Sequence, residues 1–268
     1  MTSNPLGKKT PYSDIFDPEL LFPISRAQSR MQIGVRTPLP FEGVDRWRCY
    51  ELSWLDPEGI PQVGIATIEY SAASGSIVES KSLKLFLGSM NFTRYGSVRA
   101  VEQTIESHLQ ERLEVDTLSV TVVLPDEWQR CAFQTLPGES VDSVGYEAAG
   151  SVRLRATDQV LQETLHSNLL RSLCPVTAQP DWGSVVIRYR GAKLERSSVL
   201  GYLIAHRSFQ GFHEECCERI FLDLVEACEP SELWVGCFYT RRGGIDINPE
   251  RWIPGSPRVD IGGRLARQ

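Results

Sequence analysis

The sequence has no apolar run long enough to cross a bilayer, no CxxC pair and no GxGxxG turn after a strand. Each absence excludes something. A membrane-spanning helix needs about 20 consecutive apolar residues, so no membrane span is expected. The opening MTSNPLGKKTPYSD lacks the apolar centre of an export signal, which points to the cytoplasm. Without CxxC, zinc ribbons and thioredoxin-type redox pairs have no support, and the seven scattered cysteines are expected to be reduced. Without GxGxxG there is no Rossmann site, and spacing alone argues against a nicotinamide cofactor. A formal net charge of −6 argues against broad electrostatic binding of nucleic acid, while leaving room for a local basic pocket for a phosphate.

What is present describes a globular protein. The chain has 268 residues, 41% hydrophobic and 23% charged, enough for one large or two ordinary domains. Residues 1–45, rich in proline and polar residues, read as an irregular arm, with the PEL and FPISR pieces packing locally. Strands are expected over 46–55 and 63–70, joined by a turn at Asp56-Pro57-Glu58-Gly59. Apolar residues at helical spacing predict helices over 81–91 and 97–114, the second with Ser97 as N-cap and a stripe of Val98, Val101, Ile105, Leu109 and Leu113. A strand follows at 118–124, then a connection to about Gly150. The second half repeats the plan: a strand at 184–189, helices at 197–207 and 212–228, a strand at 233–239, and a polar tail from Thr240.

Each half thus reads β–β–α–α–β, an α+β arrangement in which an antiparallel sheet carries two helices on one face. The two copies align residue by residue. LDPEGIPQVG (55–64) lies on LCPVTAQPDWG (173–183) with one insertion, and Leu83, Leu87, Phe92 and Tyr95 fall on Leu200, Ile204, Phe209 and Phe212. The expected organisation is an arm over 1–45, a first module over 46–145 and a second over 146–268.

The stretch LCPVTAQPDWG carries the chemistry. Two prolines stiffen it, holding Cys174 and Asp181 on extended or turning backbone, where a thiol nucleophile meets a proton donor. The first copy has Asp56 and Gln62 at the matching places. Conversely, Glu79 and Lys81 of the first copy fall on Arg196 and Ser198, and His213-Glu214 on Gly96-Ser97. Chemistry-capable residues are therefore split between halves. Plainer readings stand beside this one: a buried structural cysteine, a turn aspartate, ESKSLK as a polar helix start, and His213-Glu214 as an ordinary first turn. His213, Cys216 and Cys217 have ligand types that suit zinc, but three ligands from one helical turn crowd and no fourth partner is evident.

Four stretches taken together, ESKSLKLF (79–86), LCPVTAQPDWG (173–183), FHEECCERI (212–220) and RRGGIDINPER (241–251), resemble the nitrile reductase family that converts 7-cyano-7-deazaguanine to 7-aminomethyl-7-deazaguanine in queuosine biosynthesis, a tRNA modification, in its long two-module form. The resemblance implies tandem tunnelling-fold (T-fold) modules and a homodimer, with NADPH as co-substrate, two per turnover, and no metal. It implies Cys174 as nucleophile, Asp181 as proton donor and His213 beside the reacting nitrogen. The deazapurine would meet Ile77, Val78, Glu79, Phe212, His213 and Glu214. NADPH would meet Ser80, Lys81, Arg242 and Gly243. Neither nucleic acid nor a membrane is a direct partner. The competing readings are a cysteine-dependent hydrolase, a non-catalytic purine- or pterin-binding protein and a zinc cyclohydrolase.

Overall fold

In a computed structural model, residues 15–131, 133–145 and 153–268 are described. The first fourteen residues of the expected arm, and the end of the inter-module connection at 146–152, lie outside them. In chain order the elements are β1 (Pro23–Ser25), α1 (Ala27–Ile33), β2 (Glu42–Leu55), β3 (Pro61–Ser71), β4 (Ser76–Val78), α2 (Ser80–Ser89), α3 (Val98–Leu113), β5 (Leu118–Val123), β6 (Phe133–Gln134), β7 (Glu139–Ser140), β8 (Ala156–Ser167), β9 (Arg171–Leu173), β10 (Pro180–Leu194), α4 (Arg196–His206), α5 (His213–Cys228), β11 (Glu232–Tyr239), β12 (Ile245–Trp252) and β13 (Arg264–Leu265). Among the described residues, no helix is long and apolar enough to cross a membrane.

The chain divides into two compact units, each assembled from three segments. The first comprises Met1–Gln28, Arg46–Ala132 and Arg241–Asp246, and the second Ser29–Asp45, Phe133–Thr240 and Ile247–Gln268. In the first unit the strands run in the order β5–β3–β2. Alternation along β3 buries Ala66, Ile68 and Tyr70, which stand opposite Val122, Val120 and Leu118 of β5. α3 packs on β5 through Val101, Ile105, Leu109 and Leu113, all buried. Its first turn is capped by Ser97, whose side chain accepts the Ala100 N–H at 3.1 Å. In the second unit the order is β12–β11–β10–β8–β7, and the start of β10 also pairs with β9. α5 packs on β11 and β10 through Cys216, Ile220, Phe221 and Leu224. Both units therefore realise the expected α+β plan of mainly antiparallel strands with two long helices, β7 pairing parallel to β8 at the edge.

Three stretches differ from expectation. The arm is partly regular: β1 adds to β4, with Ile24 opposite Ile77, and α1 follows it. Such short elements give no period in the sequence, because tertiary pairing makes them. Beyond the connection, where no element was expected, lies β8, a twelve-residue strand whose outer half is exposed, so ATDQVLQETLHS shows little apolar alternation. The tail contains β12, buried along nearly all its length. Its Arg251 disguises it as surface, yet that guanidinium is fully buried, 2.8 Å from Asp45 and 2.9 Å from Glu218.

The repeat is real but its register slides. Buried Val101, Ile105, Leu109 and Leu113 of α3 match Cys216, Ile220, Leu224 and Cys228 of α5. The N-caps Ser97 and Phe212 therefore correspond, so Phe212 does not fall on Tyr95 and His213 falls on Val98. The N–H groups of Tyr95 and Gly211 make equivalent bonds, to the carbonyls of Leu55 and Leu173. At the preceding helix, Ser82 donates to the Glu79 carbonyl and Ser198 to that of Glu195. Glu79 thus corresponds to Glu195, not Arg196. The cause is length: eight residues separate α2 from α3, six separate α4 from α5, and α4 is one residue longer than α2.

Candidate active site

In the second unit the Cys174 loop is a closed turn between β9 and β10. The Cys174 N–H donates to the Gln179 carbonyl at 2.9 Å, and the Ala178 N–H donates to the Cys174 carbonyl at 3.0 Å. Ala178 takes φ 54°, the left-handed conformation that tightens such a turn. The loop is anchored from behind. The Leu173 N–H donates to Phe209 and the Gly211 N–H to Leu173, while Gln210 Nε2 donates to the carbonyl of Pro175 at 3.1 Å. The thiol-bearing residue is 4% exposed. Pro180 occupies the first position of β10, where a strand tolerates its missing N–H. That places Asp181 on the strand, opposite Ser172, not in the loop.

Asp181 is buried, and its Oδ2 lies 3.7 Å from Nε2 of His213, the first residue of α5. The His213 ring stands edge-on to Tyr239 with centroids 4.0 Å apart. Tyr239 ends β11 opposite Gly183 of β10. A Cβ at Gly183 would come within 3.0 Å of the Phe238 carbonyl and 3.2 Å of the Tyr239 ring, so glycine lets these strands close beside Asp181. Glu214, also buried, and Glu215 fill the first turn of α5, where negative charge suits the helix dipole. Burial pushes the Glu215 carboxyl up, and it pushes the Cys216 thiol up to about 12. Cys216 is thereby held as a thiol at neutral pH. Cys216 Sγ faces the Gly211 carbonyl, whereas Cys217 Sγ faces those of Val235 and Pro249. Among the described residues no group of three or more His, Cys, Asp and Glu is arranged to hold a metal ion.

The first unit holds the other sequence-marked residues. Ile77 and Val78 lie on β4, paired to β1. Glu79 is the N-cap of α2: one carboxylate oxygen accepts the Lys81 N–H and the other the Ser82 N–H, each at 2.8 Å, and the side chain is buried. The reading of ESKSLK as a helix start thus holds, and the cap fixes the carboxylate's direction. Ser80 Oγ stands 3.4 Å from the same carboxylate. Lys81 lines a cavity of about 360 Å³ together with Glu51, Lys84, Gly243 and Gly244. Lys84 Nζ is 3.2 Å from Glu51 Oε2. Arg242 opens a tight turn closed by its N–H to the Ile245 carbonyl at 2.9 Å. Gly243 and Gly244 take φ of 61° and 81° in that turn, and a Cβ at Gly244 would meet Glu51 at 2.4 Å.

Cys174, Asp181, Phe212, His213 and Glu214 therefore gather in one unit, and Ile77, Val78, Glu79, Ser80, Lys81, Arg242 and Gly243 in the other. Sequence reasoning missed Tyr239, which looks like an ordinary strand aromatic. It also missed Lys84 and Gly244, each three residues or fewer from a marked position.

Comparison with known proteins bears on both units. A family model described as nitrile reductase, 7-cyano-7-deazaguanine-reductase N-term matches residues 12–122, and one described as QueF-like protein matches residues 180–253. The chain is similar to an NADPH-dependent 7-cyano-7-deazaguanine reductase of Burkholderia lata, 46% identical over 271 aligned residues that cover 99% of this chain and 98% of that protein. The protein of the same description from Burkholderia thailandensis is 45% identical over the same span. Among solved structures, the archaeosine synthase QueF-Like in its apo form aligns with a TM-score of 0.32 and 19% identity over 38% of this chain and 99% of that one.

Proposed function

The chain belongs to the NADPH-dependent 7-cyano-7-deazaguanine reductase family, and on that premise we propose that it reduces the nitrile of 7-cyano-7-deazaguanine to the primary amine of 7-aminomethyl-7-deazaguanine in queuosine biosynthesis. The balance is one nitrile, two NADPH and two protons giving one aminomethyl product and two NADP⁺. The observation that carries the reading is the hairpin that seats Cys174 at its turn and Asp181 on its strand, with His213 3.7 Å from that carboxylate.

In this reading the Cys174 thiolate adds to the nitrile carbon, forming a C–S bond and breaking one C–N π bond. Charge gathers on nitrogen, and Asp181 donates the proton that turns the adduct into a neutral thioimidate. Bound NADPH supplies hydride to that carbon, and again to the imine left when the thiolate departs. His213, held by the Tyr239 ring, hydrogen-bonds the reacting nitrogen through both steps. Glu214 accepts the paired ring N–H and exocyclic amine of the guanine-like edge, a bidentate charge-assisted contact. Glu79 adds a second carboxylate contact, its direction fixed by its bonds to the Lys81 and Ser82 N–H groups. Ile77, Val78 and Phe212 supply apolar walls.

The residues of the first unit suit a phosphate-bearing cofactor. Lys81 and Lys84 line one cavity, and the turn at Gly243 and Gly244 takes left-handed backbone that disfavours larger side chains. Ser80, Lys81, Arg242 and Gly243 would hold NADPH there. The reading includes a homodimer of two-module chains, with modules over 46–145 and 146–268 behind an arm over 1–45. It places the enzyme in the cytoplasm, with no direct nucleic-acid partner.

The test is intact-mass analysis after incubation with the nitrile alone. The expected result is a mass increase of one substrate molecule on the wild-type chain and none on Cys174→Ala. An adduct that persists in Cys174→Ala removes that thiol from its role.

A further inference from the structure

Residues Arg264–Gln268 take no part in the chemistry above, yet they close on the strands that carry it. Leu265 is buried with Val186, Trp234 and Phe238. Those positions alternate, along β10 and β11, away from the face that carries Asp181, Gly183 and Tyr239. From that side Arg267 Nη2 donates to the Gly183 carbonyl at 2.9 Å, the Asn168 carbonyl at 2.6 Å and Ser184 Oγ at 3.2 Å. Gln268 is 4% exposed and uses its whole amide. Its Oε1 accepts the Leu265 N–H at 2.9 Å, and its Nε2 donates to the Tyr239 carbonyl at 3.3 Å and to Asn248 Oδ1 at 2.5 Å.

The two backbone carbonyls gripped in this way belong to cross-strand partners, Gly183 and Tyr239. One stands two residues after Asp181; the other carries the ring that meets His213. Both lie at strand ends, since β10 begins at Pro180 and β11 finishes at Tyr239. Strand ends are where local opening is cheapest, and a buried carbonyl left without a donor adds to the cost of staying in place.

We propose that Arg267 and Gln268 are positioning residues for the nitrile reduction, clamping the Gly183–Tyr239 pair so that Asp181 and His213 keep their working separation. The proposal rests on the function given above. Neither side chain touches substrate or cofactor; each acts through the strand end it holds. Displacements of about 1 Å at a reacting centre are enough to slow a reaction by about a hundredfold.

The test measures adduct formation with 7-cyano-7-deazaguanine alone, by intact mass against time, and then steady-state NADPH oxidation. Wild type, Arg267→Ala, Arg267→Lys, Gln268→Ala and Gln268→Glu are compared, each rate being normalised to the final adduct amplitude so that unfolded enzyme drops out. The alanine variants are expected to form adduct, and to turn over, at least about tenfold more slowly. Their KM for NADPH stays within about twofold of wild type, because the cofactor residues lie elsewhere. Arg267→Lys recovers part of the rate, since one donor still reaches the Gly183 carbonyl. Gln268→Glu keeps the volume but removes the donor, and it carries the same expectation if the alanine variants are too unstable to titrate. Normalised rates equal to wild type in these variants overturn the clamp alone. A wild-type enzyme that forms no adduct overturns the function, and the clamp with it.

Discussion

A nitrile carbon accepts a thiolate only if the charge arriving on nitrogen is met at once, so the value of Cys174 depends on what stands beside it. In the proposed reaction Asp181 and His213 are the groups that meet that charge. Asp181→Asn keeps the shape but removes the acid, and it is expected to lower kcat by about 10²- to 10⁴-fold while substrate still binds; single-turnover NADPH oxidation with prebound nitrile measures this. Other cysteines are poorly suited to the role. Burial holds Cys216 and Cys228 up at about 12 and pushes Cys237 well above its ordinary range. A different residue sets a pH limit on stability. His206 is buried against Phe209, with ring centroids 4.9 Å apart, and burial followed by nearby Arg219 lowers its pKa to about 4. The unfolded chain therefore takes up a proton below about 6.5 that the folded chain refuses until about 4. Stability falls as pH drops through that window, by on the order of 3 kcal/mol. His206→Phe is expected to flatten this slope in denaturant melts between pH 7 and 4; an unchanged slope would show that other groups set it.

α3 was legible because Val101, Ile105, Leu109 and Leu113 keep one stripe, with Ser97 capping it. β10 was legible only in its centre: Pro180 reads as a turn residue until β9 pairs with it, and of the two backbones open to Asp181, extended or turning, the strand is the one it takes. β12 was not legible, because a buried Arg251 is readable only with its partners known, and these stand 206 and 33 residues away. The site divided the same way. Cys174, Asp181 and His213 stood out by chemistry, whereas the contacts of Tyr239 with His213 and of Arg267 with Gly183 come from geometry that no local pattern carries. The buried network of Arg251, Asp45 and Glu218, extended by Arg30 at 2.7 Å from Glu218, ties α1 and the start of β2 to α5 and β12. Arg251→Leu takes this cation from Asp45 and leaves Glu218 with Arg30 alone, and it is expected to cost about 3–5 kcal/mol in urea melts. A loss under about 1 kcal/mol would mean that water already reaches the network.

At the scale of the molecule, duplication has let two similar units diverge in task. At the turn that bears Cys174 in one, the other has Asp56, whose carboxylate accepts the Ile60 N–H and the Gln62 amide and so merely shapes the turn. Where α5 begins with His213, α3 begins with Val98. The first unit keeps instead a helix-capping carboxylate, Glu79, and a cavity lined by two lysines and a glycine turn. Lys81→Ala is therefore expected to raise KM for NADPH by about tenfold or more with little change in adduct formation, whereas Glu214→Gln should weaken nitrile binding by a similar factor and leave KM for NADPH nearly unchanged. Each variant's two constants read this division of labour directly. The most direct measurement of the whole account is the stoichiometry of NADPH oxidation, followed at the reduced-nicotinamide band with limiting 7-cyano-7-deazaguanine. The prediction is two NADPH consumed per nitrile by the wild-type enzyme and none by Cys174→Ala. Folded wild-type protein that consumes the nitrile without oxidising NADPH, or leaves both untouched, would contradict it.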